Sequence, residues 1–116
     1  MKELRWIASS RKDLLNLPDA VRDVFGFALY QAQLGRHPAQ AKALKGFHGA
    51  EVLELRDDWH GDTYRVVYTV RFEQAIYVLH CFQKKSTQGI ATPQFIIELI
   101  HKRLKLAEAD ARRSLS

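Results

Sequence analysis

The sequence predicts an α+β fold, a small twisted antiparallel sheet with N-terminal helices packed on it and a C-terminal helix. Three observations predict it. Residues 18–35 carry apolar side chains at helical spacing. Residues 51–83 hold three runs rich in β-branched and aromatic residues, separated by connections short enough for hairpins. Thr92-Pro93 then opens another long stretch of helical spacing. The order β-α-α-β-β-β-α is that of an α+β protein rather than an alternating one. With 116 residues, 47% of them hydrophobic, the chain is sized for one domain over residues 1–116 with a real core.

Each element has a local reason. Leu4, Trp6 and Ile7 suit a short first strand that stops at Ser9-Ser10, and Ser10 is placed to cap a helix over "RKDLL". Pro18 opens a longer helix, with Asp19 and Asp23 near its positive end. Val21, Val24, Phe25, Ala28, Leu29 and Ala32 form its buried stripe, and Gly35 ends it. Phe27, Tyr30 and Leu34 make a second, partial stripe, covered in the monomer or by a partner. "RHPAQAKALKGFHG" is expected to be a loop with one helical turn. Glu51–Arg56, Thr63–Val70 and Ala75–Gln83 are expected to form a meander through "DDWHGD" and "RFEQ". In the first of these strands Val52, Glu54 and Arg56 share one face. In the third, His80 is expected to alternate onto one face with Val78, Phe82 and Lys84. Ile97, Ile100, Leu104, Ala107 and Ala111 give the last helix its apolar stripe.

Charge is unevenly placed. The net formal charge is +5, yet residues 1–83 contribute only +1 and residues 84–116 contribute +4. The excess starts where the third strand exits on Lys84-Lys85. A one-sided basic surface attracts phosphate backbones or acidic proteins, and it also merely solubilises. The single cysteine, Cys81, lies in an apolar strand, so no internal disulfide forms and a reducing cytoplasm fits. The first dozen residues lack a signal-peptide core, and no run approaches the ~18 apolar residues of a membrane helix. No membrane association is expected.

The five histidines show no metal-binding spacing, and no nucleophile elbow or glycine-rich phosphate loop occurs. What remains is cationic: Arg56, Arg65, Lys84 and Lys85, at or near strand ends. An arginine within "TYRVVY" needs a partner, because a buried unpaired charge is costly. Glu54 or Glu51 would make an internal pair. Alternatively the cations converge on one sheet edge and bind phosphate. The residues alone leave both open.

The runs "VLELRDD", "GDTYRVVYTV" and "AIYVLHCFQKKSTQGIATPQFIIELIHKRL" resemble the phage-related branch of the HigB/RelE toxins of bacterial type II toxin–antitoxin pairs. That branch shows an L-x-E-L-R strand, a Y-R-V-x-Y strand, and an L-x-x-F-x-K-K exit followed by T-P and a helix with E-L-x-x-x-R. The likeness covers roughly residues 45–106 in order and spacing. It departs at "STQGIATPQ", where more polar or basic residues are usual.

The resemblance implies a RelE-like fold and a metal-independent mRNA endoribonuclease without cofactors. It would act on the translating ribosome and be held inactive by a cognate helix-turn-helix antitoxin. By the same resemblance Arg65, Lys84 and Glu54 would carry catalysis, and Arg56 and Lys85 would hold RNA; His80, which no motif position carries over, is a further candidate to hold RNA. The chemistry suits these residue types. Attack by the RNA's 2′-OH builds negative charge on phosphate, which Arg and Lys stabilise, and the reaction needs a base and an acid. Lys84 is a base if its pKa is depressed, Glu54 is another, and an interior strand position counts against His80. The alternatives are a non-catalytic RNA-binding module and a protein–protein adaptor on the same scaffold.

Overall fold

A computed structural model describes residues 1–49, 51–84 and 92–115. The elements are β1 (Glu3–Trp6), α1 (Ser10–Leu15), α2 (Asp19–Gln33), β2 (Ala41–Ala43), β3 (Val52–Trp59), β4 (Asp62–Thr69), β5 (Ala75–Lys84) and α3 (Gln94–Leu115). They build a five-stranded sheet in the order β1-β5-β4-β3-β2.

The expected meander is its centre: β3, β4 and β5 pair antiparallel in succession. The ladder between β3 and β4 runs out to Trp59 opposite Asp62, so Asp57 and Asp58 belong to the strand and not to its turn. The turn is His60-Gly61 alone, with φ of 51° and 81°. Positive φ at both central residues is the backbone of a type I′ hairpin, whose twist matches its flanking strands. Two features depart from the sequence reading. β1 joins β5 in parallel, so the sheet is mixed at that edge. Residues 41–43 form a short edge strand against β3 where a helical turn was expected.

The two faces of the sheet bury different sets. On one, Val21, Phe25, Ala28, Leu29 and Ala32 of α2 pack against Leu55, Tyr64, Val66, Tyr68, Ile76, Val78 and Cys81. On the other, Ile96, Ile100, Leu104, Ala107 and Ala111 of α3 pack against Val52, Val67, Ala75, Tyr77 and Leu79. Cys81 is buried, and burial pushes its thiol up to about 12, as befits a small packing residue. Ser10 is not a cap. It is the first helical residue of α1, fully buried, and its hydroxyl donates to the Val78 carbonyl at 3.0 Å. Gly35, at φ 83°, follows the end of α2, and its N–H bonds the Ala32 carbonyl.

One irregularity shapes the site. Val67 pairs with His80 while Tyr68 pairs with Val78, so Leu79 is an extra residue in β5. Such a bulge reverses the alternation of side chains beyond it. Val78 therefore joins the α2-facing core, while His80, Phe82 and Lys84 share the face of Arg65. The expectation that Val78 and His80 share a face is overturned by this one residue.

Candidate nucleic-acid interface

Opposed residues in neighbouring strands project to the same face, so the register lays out the site. One cross-strand row is Arg56, Arg65 and Phe82. The row on one side is Glu54, Val67 and His80, and on the other Asp58, Thr63 and Lys84. Five of the six residues singled out from the sequence thus stand on one patch of β3, β4 and β5. Lys85 lies outside the described residues.

Arg65 is buried, with a side chain only 7% exposed, and forms an ion pair with Glu54, itself 13% exposed. Thr92, just before α3, donates its hydroxyl to the other Glu54 oxygen at 3.0 Å and lies 3.4 Å from the Arg65 guanidinium. Both carboxylate oxygens of Glu54 are therefore engaged, and the internal pair considered from sequence is present. The row beyond is looser. Arg56 is exposed and pairs with Asp58 at 3.3 Å, and Asp58 also accepts from Thr63 at 2.8 Å. The Thr63 and Arg56 bonds hold the Asp58 carboxyl below the usual range.

Lys84 is 5% exposed, and its ammonium nitrogen has no hydrogen-bond partner among the described residues. Burial chiefly pushes its pKa down, and Arg65 and Arg56 add to the shift against the opposing pull of Glu54. His80 is half-buried. Its ring stacks on Phe82, with centroids 5.0 Å apart and planes at 17°, and Arg103 of α3 reaches its Nδ1 at 3.2 Å.

A family model described as "Phage derived protein Gp49-like" matches residues 12–105. The chain belongs to this Gp49-like family. The match spans every residue of the patch, from Glu54 to Lys84, and Arg103 as well. Among solved structures, the free state of a double arginine-to-alanine mutant of the E. coli toxin RelE is similar in fold. Its TM-score is 0.57 at 19% identity, over 90% of this chain and 95% of that one. No curated protein matches. The mixed sheet with helices on both faces is thus the RelE fold, here carried by a Gp49-like sequence.

Three residues of this candidate site escaped the sequence reading. Thr92 read as a helix cap, yet it also braces Glu54. Phe82, the aromatic of the F-x-K-K exit, was given no role, yet it stands beside Arg65. Arg103, the arginine of the E-L-x-x-x-R run, was quoted but given no role. It donates to the Leu79 carbonyl at 2.9 Å and to Ser9 Oγ at 3.2 Å, tying α3 to β5 and α1.

Proposed function

We propose that this protein is the toxin of a type II toxin–antitoxin pair, of the phage-related HigB branch. In this reading it is a ribosome-dependent mRNA endoribonuclease of the cytoplasm, restrained by a small helix-turn-helix antitoxin. The observation that carries the reading is the meeting of Arg56, Arg65 and Lys84 on one sheet face, with the Lys84 ammonium buried and unpaired among the described residues. Arg65 and Arg56 are each positioned by a carboxylate, Glu54 and Asp58, Lys84 is left unbalanced among the described residues, and the three together form a seat for a phosphodiester. The likeness of fold to a RelE toxin supports the same reading.

The reaction proposed is attack by the RNA's own 2′-OH on the adjacent phosphorus, with the bond to the 5′-oxygen breaking and that oxygen leaving as a hydroxyl protonated from solvent. Lys84, whose depressed pKa raises its neutral fraction, is the base that takes the 2′-OH proton. Arg65 and Arg56 stabilise the charge that builds on the phosphoryl oxygens. Glu54, each of whose oxygens already accepts a hydrogen bond, and Thr92 hold Arg65 in place. Lys85 follows Lys84 directly and adds positive charge at the strand exit.

The test is cleavage of a defined message on programmed ribosomes by pure protein treated with chelator, the ribosomes keeping their magnesium. Unmodified RNA should yield 2′,3′-cyclic phosphate ends or the derived 3′-phosphate. A 2′-deoxy nucleotide on the 5′ side of the cut should block it. Efficient cutting of the blocked message, or 3′-hydroxyl ends formed directly, would falsify this mechanism.

A further inference from the structure

His80 is held in a way that decides which proton it carries. One guanidinium nitrogen of Arg103 bonds the Leu79 carbonyl and His80 Nδ1, and the other bonds Ser9 Oγ. A guanidinium has only donors and is not deprotonated in proteins. Nδ1 must therefore accept, which leaves the proton on Nε2 and the ring neutral. An imidazolium would set N–H against N–H. Burial and Arg103 accordingly push the His80 pKa down to about 4, although Asp13 of α1 opposes them. Glu54 stands in the same cross-strand row, two strands away, already engaged by Arg65 and Thr92. Nε2 meets no hydrogen-bond partner among the described residues and is not sealed from solvent.

This geometry removes His80 from proton transfer. Its basic lone pair faces Arg103, and Nε2 offers only a donor. What the ring does provide is a flat stack with Phe82, which is half-buried and stands next to Arg65 in its row. Neighbouring strands lie ~4.8 Å apart and successive same-face residues ~7 Å apart. The aromatic pair is therefore within one nucleotide's reach of Arg65 and Lys84. Cations on a groove with an aromatic surface beside them are the parts that bind single-stranded nucleic acid, the cations holding phosphate and the ring stacking an unpaired base.

We propose that the stacked His80–Phe82 pair is the nucleobase subsite of the cationic face, with Phe82 stacking on a base, His80 donating to it from Nε2, and Arg103 as the positioning residue that fixes the His80 tautomer. The proposal rests on reading that face as an RNA site and names what the site reads there. A base unstacked onto this pair places its own phosphate over Arg65 and Lys84, so the subsite also sets which nucleotide is presented.

The experiment uses the full chain, with imidazole nitrogen and ring-proton NMR, and two probes. One is a single-stranded 2′-O-methyl oligonucleotide, which binds without being cut. The other is inorganic tripolyphosphate, which offers charge and no base. Wild-type His80 should show the neutral Nε2–H pattern from pH 7 down to 5. The oligonucleotide should shift the His80 and Phe82 ring signals, and tripolyphosphate should not. Phe82→Leu, which keeps an apolar side chain in place, should weaken oligonucleotide binding about tenfold and leave tripolyphosphate binding unchanged. Arg103→Gln should let His80 titrate between pH 5 and 7 and populate both tautomers. The wild-type spectra and Phe82→Leu decide the matter even where Arg103→Gln does not fold. An Nδ1–H tautomer in the wild type, ring signals indifferent to the oligonucleotide, or equal oligonucleotide affinity in Phe82→Leu each overturns the proposal. None of these readouts needs turnover. A failure to cut message on ribosomes would therefore remove the nuclease reading and leave the subsite standing.

Discussion

Arg65 and Lys84 sit at nearly the same depth but in different electrostatic situations. Arg65 is neutralised by Glu54, which Thr92 braces, so its position is determined before any ligand arrives. Lys84 has no such partner among the described residues and is pushed toward its neutral form. A preorganised cation and a depressed amine are complementary tools for phosphoryl chemistry. Arg65→Ala and Lys84→Ala should each lower cleavage by about 10²–10³-fold, the scale of losing one transition-state charge contact. Arg65→Ala should also destabilise the fold, because it leaves Glu54 buried without its cation. Lys84→Ala should not, since it removes a buried charge that has no partner. Rates on programmed ribosomes beside thermal melts would show this split. Two alanine variants with wild-type rates would mean that the chemistry lies elsewhere. Residue types were legible at this scale: Arg56, Arg65, Lys84 and Glu54 could be named from sequence because charge inside β-favouring runs demands an explanation. Their pairing was legible only as a choice between Glu54 and Glu51, because the β3–β4 register decides which carboxylate meets Arg65.

Secondary structure followed local patterning closely wherever the pattern was long. The α2 stripe, the Gly35 stop and the β3–β4–β5 meander all read directly from spacing and turn residues. Short or interrupted elements did not. Residues 41–43 carry too few side chains to signal a strand, and they become one because β3 offers an unpaired edge. The Leu79 bulge has no local mark, yet it turns Val78 onto the α2-facing core while His80 keeps the face of Phe82 and Lys84. α3 shows a further tertiary device. Near the end of its apolar stripe, Asp110 accepts from Tyr77 and Arg5, each at 2.6 Å, and Arg5 also reaches Ser114 at 2.8 Å. This cluster docks the last turns, which polarity alone would leave to fray. The Tyr77 and Arg5 bonds hold the Asp110 carboxyl below the usual carboxylate range. A depressed folded-state pKa contributes stability that is fully present above the unfolded value and lost as pH falls through the folded one. Stability from this cluster should thus be intact at neutral pH and decline below about pH 4. Asp110→Asn should lower stability at pH 7 by about 1 kcal/mol, the scale of a partly exposed pair, and flatten the acid limb of the melt. Unfolding curves between pH 3 and 7 that superimpose for the two proteins would remove Asp110 from this role.

Seen whole, the molecule covers both sheet faces with helices but leaves the β3–β5 patch of Arg56, Arg65 and Lys84 beyond the α3 core. The C-terminal charge excess lies in the same part of the chain, from Lys84 onward. On the α2 side, Phe27, Tyr30 and Leu34 are 62%, 47% and 39% exposed, so the second stripe is not covered within the monomer. No helix among the described residues is long and apolar enough to cross a membrane. A Gp49-like chain with this fold and this charge, read as a toxin, should arrest growth when expressed alone. Co-expression of its cognate antitoxin should restore growth. Cells that grow unimpeded while soluble, folded protein accumulates would contradict the toxin reading.

By itself the sequence determined the element types, the central meander, the two apolar helix stripes and the identity of the cations. These follow from periodicity and turn chemistry, which act over a few residues and are written locally. Tertiary structure alone decided the parallel edge strand, the face on which Val78 lies, the Glu54–Arg65–Thr92 network and the clamp of Arg103. Each of these joins residues far apart in the chain. Their contact energies depend on register and on which helix packs on which face, and a single extra residue in β5 is enough to change which side chains share a face.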